Sequence, residues 1–398
     1  MTRPRLRVVV LSFSAFASVM SSSVYSLAFS ELARSFDVPY ATLRWRQVVF
    51  WTICALGMPF FGKLCDRRDP RRMLLLGVVL DVVGLTLTAL APSFPVLLLA
   101  TALHGLGDAI VLPAQSALIR HAVPPERAGW AFGLQTVVLA AAVLAGPILT
   151  TALLETAGWR VIIGVLAVVA AGSFVAAALL LPRVDAPHRA PTGILPRGLW
   201  KNGIFLAATA ATLLGQLGMD SIVTFGPTCL MDVHHMTIEK VGAILLLSPG
   251  IVVLLAVFTG RLADRWHYAT VAGGLLALIG AELLFASVTP PAALASLLIV
   301  AALIGVGASL FTPALNRLAF LAVPPAETAS YMALYQMVMF SSGGIAGLAF
   351  GGLVEKGGSQ QIDWGGYQTM LYIVAACAAA SLVIMLAARR HHQRTRIS

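Results

Sequence analysis

Charged side chains are scarce in this chain. Asp, Glu, Lys and Arg together make up 11% of its 398 residues, under half of the roughly 25% usual in a soluble globular domain. The scarcity excludes a soluble fold, because 59% of the residues are hydrophobic and fall in runs of about 20, the length that crosses roughly 30 Å of hydrocarbon. The ten-residue strands of strict alternation that build a membrane barrel are also missing, so the spans are expected to be helices. Cysteine is equally sparse: Cys54, Cys65, Cys229 and Cys377 stand alone with no C-x-x-C spacing, which argues against a disulfide framework and a zinc site. No nucleotide-binding loop, metal-ligand cluster or Gly-x-Ser-x-Gly elbow is present, so an ATPase, a hydrolase or any other enzyme is not expected, nor is a cofactor.

Twelve apolar spans are predicted, at about 8–29, 41–61, 73–92, 95–119, 131–153, 160–181, 202–227, 239–259, 269–288, 292–316, 329–353 and 366–388. The formal net charge of +10 suggests nucleic acid until its distribution is read. Of the 27 Lys and Arg residues, only Arg34, Arg44, Arg46, Arg160, Lys240 and Lys356 lie on the side opposite the N-terminus or in that half of a span. The others share one side, which sets both termini in the cytoplasm and makes the basic excess a matter of topology. The start, MTRPRLRVVVLSFSAFASVMSS, imitates a signal peptide. It reads as an uncleaved first span, since its removal would leave eleven. Pro-rich and polar, residues 182–201 form a cytoplasmic linker between two six-span domains, 1–181 and 202–398.

One stretch occurs twice at an offset of 200 residues. LHGLGDAIVLPAQSALIRHAVPPERA (103–128) aligns without a gap on LIGVGASLFTPALNRLAFLAVPPAET (303–328). Gly105/Gly305, Gly107/Gly307, Pro113/Pro313 and Pro124-Pro125/Pro324-Pro325 coincide, so the same backbone, with the same close contacts, is expected twice. The polar chemistry is not repeated: His104, Asp108 and Gln115 face Ile304, Ala308 and Leu315. A second duplicated feature follows spans two and eight, as Gly62-Lys-Leu-Cys-Asp66-Arg67 and Gly260-Arg-Leu-Ala-Asp264-Arg265. There an acid followed by bases is suited to cap a neighbouring helix and make ion pairs.

With Gly62, Leu64, Asp66, Arg67, Arg71 and Arg72 in place, the chain resembles the major facilitator superfamily, whose loop motif has the form G-x-L-a-D-r-x-G-r-k; Asp69 stands where that motif carries glycine. Gly146-Pro147 and Gly158-Trp159-Arg160 extend the likeness. The resemblance implies two six-helix bundles around a central cavity lined by spans 1, 4, 7 and 10, in a bacterial inner or other plasma membrane, with alternating access. The first half is most similar to drug:proton antiporters, through Leu43-Arg-Trp45, Leu112-Pro113-Ala114 and Pro124-Pro125-Glu126-Arg127. It departs from them at Thr101, where they carry arginine, at Ser21–Tyr25, which lacks their acid, and at Thr150-Thr151, in place of tandem glycine.

Polar groups inside spans are costly, about 2.5–3.5 kcal/mol for a charge on insertion scales, and each is therefore a candidate. Thr101, His104, Asp108 and Gln115 fall on one stripe of span 4. His104 and Asp108, one turn apart, are suited to share a proton or pair as ions; the alternative is a permanent structural bond. In span 7, Thr212, Gln216 and Asp220 share a drifting face. His104, Asp108 and Asp220 are the expected proton-coupling residues. Thr101, Gln115, Gln216, Thr312, Asn316, Tyr331, Tyr335 and Arg46 are the expected substrate contacts, with Arg46 drawing an anion into an outer mouth. Ser14, Ser18, Ser22 and Tyr25 in span 1 read first as packing residues. Asp81 and Glu282, 201 positions apart, need a cavity, a partner or the interface, and their near-symmetry favours a structural role.

The expected function is secondary active transport of a small organic solute coupled to protons, as antiport or symport, by a monomer. Uptake of organic anions or monocarboxylates is the alternative, although the span 8 Asp-Arg pair that would resemble monocarboxylate carriers is absent from Pro249–Thr259. A non-transporting membrane receptor is more remote, since the basic tail after Arg389 is too short for a partner-binding extension.

Overall fold

A computed structural model describes residues 3–38, 40–43, 45–184, 195–196, 198–354 and 362–395. Arg44, Lys356 and most of the expected linker, 185–194 and 197, lie outside the described residues. Thirteen α-helices are described: α1 Arg3–Phe13, α2 Phe16–Leu27, α3 Phe29–Phe36, α4 Tyr40–Leu43, α5 Trp45–Arg67, α6 Pro70–Ala89, α7 Phe94–Ala122, α8 Ala128–Leu180, α9 Gly203–Asp232, α10 Ile238–Ser287, α11 Leu294–Leu321, α12 Thr328–Val354 and α13 Trp364–Thr395.

Among the described residues, ten helical stretches are long and apolar enough to cross a membrane. The twelve predicted spans fall on these ten because spans five and six both lie in α8, and spans eight and nine both lie in α10. Each long helix contains one non-helical residue. In α8 it is Gly158 (φ 75°, ψ 166°), a conformation that a Cβ would oppose, and in α10 it is Trp266 (φ −134°, ψ 53°). The expected first span is also interrupted, between α1 and α2, where the Ser14 hydroxyl donates to the Leu11 carbonyl at 2.6 Å.

The chain forms two compact units. One comprises residues 1–199 with 323–337, and the other 200–322 with 338–398, so α12 is divided between them after Met337. In the first, α7 packs on α5 and α6, and α8 packs on α2 and α6. In the second, α10 packs on α11 and α13, and α13 also packs on α9. The repeated glycines make these contacts. A Cβ on Gly105 would lie 2.8 Å from the Phe50 carbonyl oxygen, and one on Gly305 would lie 2.8 Å from that of Ser248. Such spacing permits backbones to touch, which is how helices associate without a hydrophobic drive between them.

Two carboxyls exploit the same absence of side chain. Asp81 of α6 is buried with one oxygen 2.0 Å from where a Gly107 Cβ would stand, and Glu282 of α10 lies 1.9 Å from that of Gly218. Neither has a hydrogen-bond partner among the described residues, so the cavity, partner or interface expected from sequence is replaced by a helix glycine. Gly107→Ala is expected to destabilise more than Gly218→Ala. At Gly107 the added methyl also meets the Gly77 carbonyl oxygen at 2.8 Å, whereas at Gly218 the closest obstacle is the movable end of Glu282. Melting temperatures of the two purified variants check the order, which fails if Gly218→Ala melts lower.

The second unit also buries His234 in the turn after α9, edge-on to Trp364 with ring centroids 5.1 Å apart. Its Nδ1 accepts from the Ala292 backbone N–H at 3.2 Å, and Nε2 is unpartnered among the described residues. Burial, and then the neighbouring His235, hold its pKa below the usual 6.5. The folded protein therefore resists a proton that the unfolded chain accepts, so stability is complete above about pH 6.5 and falls as pH drops below it. His234→Gln is expected to flatten the fall in Tm between pH 6.5 and 5. An unchanged slope would refute it.

Candidate functional site in the membrane-spanning helices

In the first unit, α7 presents its polar stripe to α2. His104 and Asp108, which are 1% and 8% exposed, do not pair with each other. The Ser18 hydroxyl stands between them, donating to Asp108 Oδ2 at 2.5 Å while His104 Nε2 lies 3.0 Å from Ser18 Oγ. A hydroxyl has one proton to give, so with the aspartate ionised the imidazole Nε2–H must be the donor to Ser18. The direct contact expected from the sequence, whether a shared proton or an ion pair, is thus replaced by a three-membered chain. The Phe50 ring closes over the imidazole at 5.1 Å, and Asp108 Oδ1 has no partner among the described residues.

Seven residues further along α7, Gln115 is fully engaged. Its amide nitrogen donates to the Leu11 carbonyl at 2.7 Å and to Ser14 Oγ at 2.9 Å, and its oxygen accepts from Gln135 at 2.8 Å. This ties α1, α7 and α8 together and leaves the side chain no donor for a solute. Thr101 is buried with its hydroxyl unpartnered among the described residues. Ser14 and Ser18, read from the sequence first as packing residues, and Gln135, which it did not single out, are the partners of this site, because a serine or glutamine in a span carries no signal of what faces it.

The second unit has its own serine-held acid. Asp220 of α9 accepts from the Ser342 hydroxyl of α12 and, at 3.1 Å, from Gln216 one turn earlier. Thr212 turns back to the Ala208 carbonyl. Thr312 and Asn316 are half-buried on α11 and are not among the hydrogen-bond partners of Asp220, while Tyr331 and Tyr335 of α12 are each 1% exposed and belong to the first unit. Arg46 of α5 lies with its guanidinium carbon 3.5 Å from the Tyr25 ring centroid, at a cavity of about 110 Å³.

The duplicated loop motif performs two different jobs. In the first unit the Asp66 carboxylate accepts the Ala329 and Ser330 N–H groups at 2.8 and 2.9 Å, and the Ser330 hydroxyl as well. It thereby caps the start of α12, where unsatisfied N–H groups and the dipole favour an anion. Gly62 allows the approach, since a Cβ there would lie 2.8 Å from the Ala329 carbonyl oxygen, and Lys63 pairs with Glu327 at 3.3 Å. Asp69, the departure from the motif, caps α6 by accepting the Arg71 N–H at 2.9 Å, and the Arg71 guanidinium reaches the Ala178 carbonyl. Arg67 is exposed. In the second unit Gly260 is buried and Asp264 pairs with Arg317 of α11 at 2.9 Å, while Arg265 lies over Trp266.

Buried, hydrogen-bonded acids on helices of this length define a multi-pass helical membrane protein. The chain belongs to the Major Facilitator Superfamily, whose family model matches residues 11–348. A 153-residue stretch is 28% identical to the uncharacterized MFS-type transporter YvkA of Bacillus subtilis (strain 168), covering 38% of this chain and 34% of that protein. The chain thus spans about a third of the length of the curated relatives it matches. The fold is similar over 97% of the chain to the human organic anion transporter MFSD10, covering 100% of that chain (TM-score 0.75, 15% identity). It is likewise similar over 97% to a bacterial homologue of the iron transporter ferroportin in an outward-facing state, covering 99% of that chain (TM-score 0.77, 16% identity).

Proposed function

We propose that this protein is a monomeric, proton-coupled secondary active transporter of a small organic solute in a bacterial inner membrane, working by alternating access. In this reading α8 and α10 each cross the membrane twice, turning at the non-helical Gly158 and Trp266, since 53 and 50 residues are enough for two crossings of about 20 residues each. Twelve crossings then make two six-helix bundles, residues 1–181 and 202–398 joined by 182–201, with both termini cytoplasmic.

The observation that carries the proposal is the His104–Ser18–Asp108 chain. Holding an aspartate and a histidine in a span is costly, and Asp108 Oδ1 contributes no protein bond in return among the described residues. The chain can reverse by a relay: a doubly protonated His104 passes its Nε2 proton to Ser18 Oγ while the Ser18 hydroxyl passes its own to Asp108, after which the Ser18 hydroxyl donates to the bare Nε2, and the opposite shift turns it back. A proton taken up or released at Asp108 thus reorients bonds between α2 and α7, two helices expected to line the cavity. Asp220, held by Ser342 and Gln216, is the corresponding acid of the second unit. Gln216, Thr101, Thr312, Asn316, Tyr331 and Tyr335 are the remaining candidates for solute contact, and the duplicated loop motif governs which conformation is favoured.

Proteoliposomes with an imposed pH gradient test the reading. Solute movement is expected to follow the gradient and to collapse with a protonophore. Flux indifferent to both would overturn the coupling.

A further inference from the structure

We infer that the cavity at Arg46 is a carboxylate subsite, and that the solute is a small organic acid with an apolar body. The inference rests on the transport reading above and names the class of what is carried. The cavity lies within the first unit, between the second half of the first predicted span and the start of α5. Its lining holds one charge, the Arg46 guanidinium, and no acid; Ser21, Ser22, Tyr25 and Gln47 add neutral polar groups, and Phe50 and Trp51 are among its apolar walls.

Two observations point to an anion. The described residues supply Arg46 with no carboxylate, so a half-buried cation in a mainly apolar helical region lacks the partner that ordinarily offsets its desolvation. At 3.5 Å from the Tyr25 centroid the guanidinium rests on the ring, which uses its face and leaves its in-plane N–H fork suited to a bidentate carboxylate.

Charge and size narrow the class. A single fixed cation balances a monoanion, whereas a phosphate dianion would keep an uncompensated charge in a poorly hydrated site. At about 110 Å³ the space falls below the roughly 300–1,000 Å³ of drug-sized pockets and near the ~150 Å³ that accepts benzene. A carboxylate with a ring or short alkyl body fits, and a larger solute would insert only its acid end.

The test is binding to the purified full chain, followed by thermal shift and tryptophan fluorescence. The probes are benzoate and hexanoate, with benzyl alcohol, benzylamine and inorganic phosphate for comparison. Saturable shifts are expected with the two carboxylates alone, weakened about tenfold or more in Arg46→Gln and less in Arg46→Lys, which keeps the charge but loses the fork and the stacking. Tyr25→Leu should weaken binding with Arg46 intact. Since Arg46→Lys preserves charge, it remains informative if Arg46→Gln fails to fold. Carboxylate binding unaltered in either arginine variant, preference for benzylamine or phosphate, or no binding by either carboxylate would overturn the inference. Gradient-driven flux of a non-acidic solute without carboxylate binding would leave the transport reading standing alone. Arg46-dependent carboxylate binding without gradient-driven flux would do the reverse.

Discussion

Asp108→Asn is expected to abolish gradient-driven accumulation in proteoliposomes while leaving solute exchange at equal pH. The amide keeps the shape of the acid and an oxygen to accept from the Ser18 hydroxyl, which lies 2.5 Å from Asp108 Oδ2, so the contact between α2 and α7 survives. What disappears is the proton. Because His104 touches Ser18 and not Asp108, Ser18→Ala should uncouple the two without removing either titrating group, giving a smaller loss than Asp108→Asn. His104→Gln retains an N–H donor to Ser18 and is expected to fall between them. Accumulation in Asp108→Asn equal to that of the unaltered protein would remove Asp108 from the coupling role, and the same assay on Asp220→Asn then decides whether the second unit carries it.

The second large effect concerns the duplicated acids at the helix ends. Asp264→Ala leaves Arg317 buried, with side-chain exposures of 10% for the arginine and 14% for the aspartate it loses, and breaking a buried pair from one side costs about 3–5 kcal/mol. Replacing both by leucine is expected to recover most of that loss, because no charge is then stranded. Asp66→Ala removes an acceptor from two backbone N–H groups and one hydroxyl, at about 2–4 kcal/mol, and no second substitution can repair it since the stranded donors are backbone. Asp66→Asn keeps one acceptor and should lose less. Melting of the single and double variants checks both statements. A double leucine variant no more stable than Asp264→Ala would refute the ion-pair account.

Much of the fold was legible because it depends on local chemistry. Apolar runs near 20 residues dictate helices that bury their own N–H and C=O groups in lipid. Gly105, Gly107, Gly305 and Gly307 lack a side chain wherever they stand, so their role as contact points followed from the repeat alone. His104 and Asp108 could be put on one face because 3.6 residues make a turn. The gaps read between spans five and six and between spans eight and nine coincide with the non-helical Gly158 and Trp266, but that a single residue makes each break was not legible, because backbone angles at one position depend on the packing around it.

The polar partners lay beyond reach for a different reason. Ser18 is 90 residues from Asp108, Ser342 is 122 from Asp220, and Asp66 is 263 from the Ala329 N–H that it caps. Hydroxyls and backbone donors occur throughout the chain, and nothing in their identity names the acid opposite. The amino-acid order therefore established the all-helical membrane class, the duplication and the family, together with the acids on which function is proposed to rest, because these are set by side-chain type and helical period. Tertiary packing decided that His104 and Asp108 meet through Ser18, that Gln115 is consumed in tying helices, that Asp81 and Glu282 lie against bare glycine, and that the two copies of one loop motif hold a helix start and an arginine. In each case the deciding interaction joins groups distant in the chain, and only the folded arrangement brings them within bonding range.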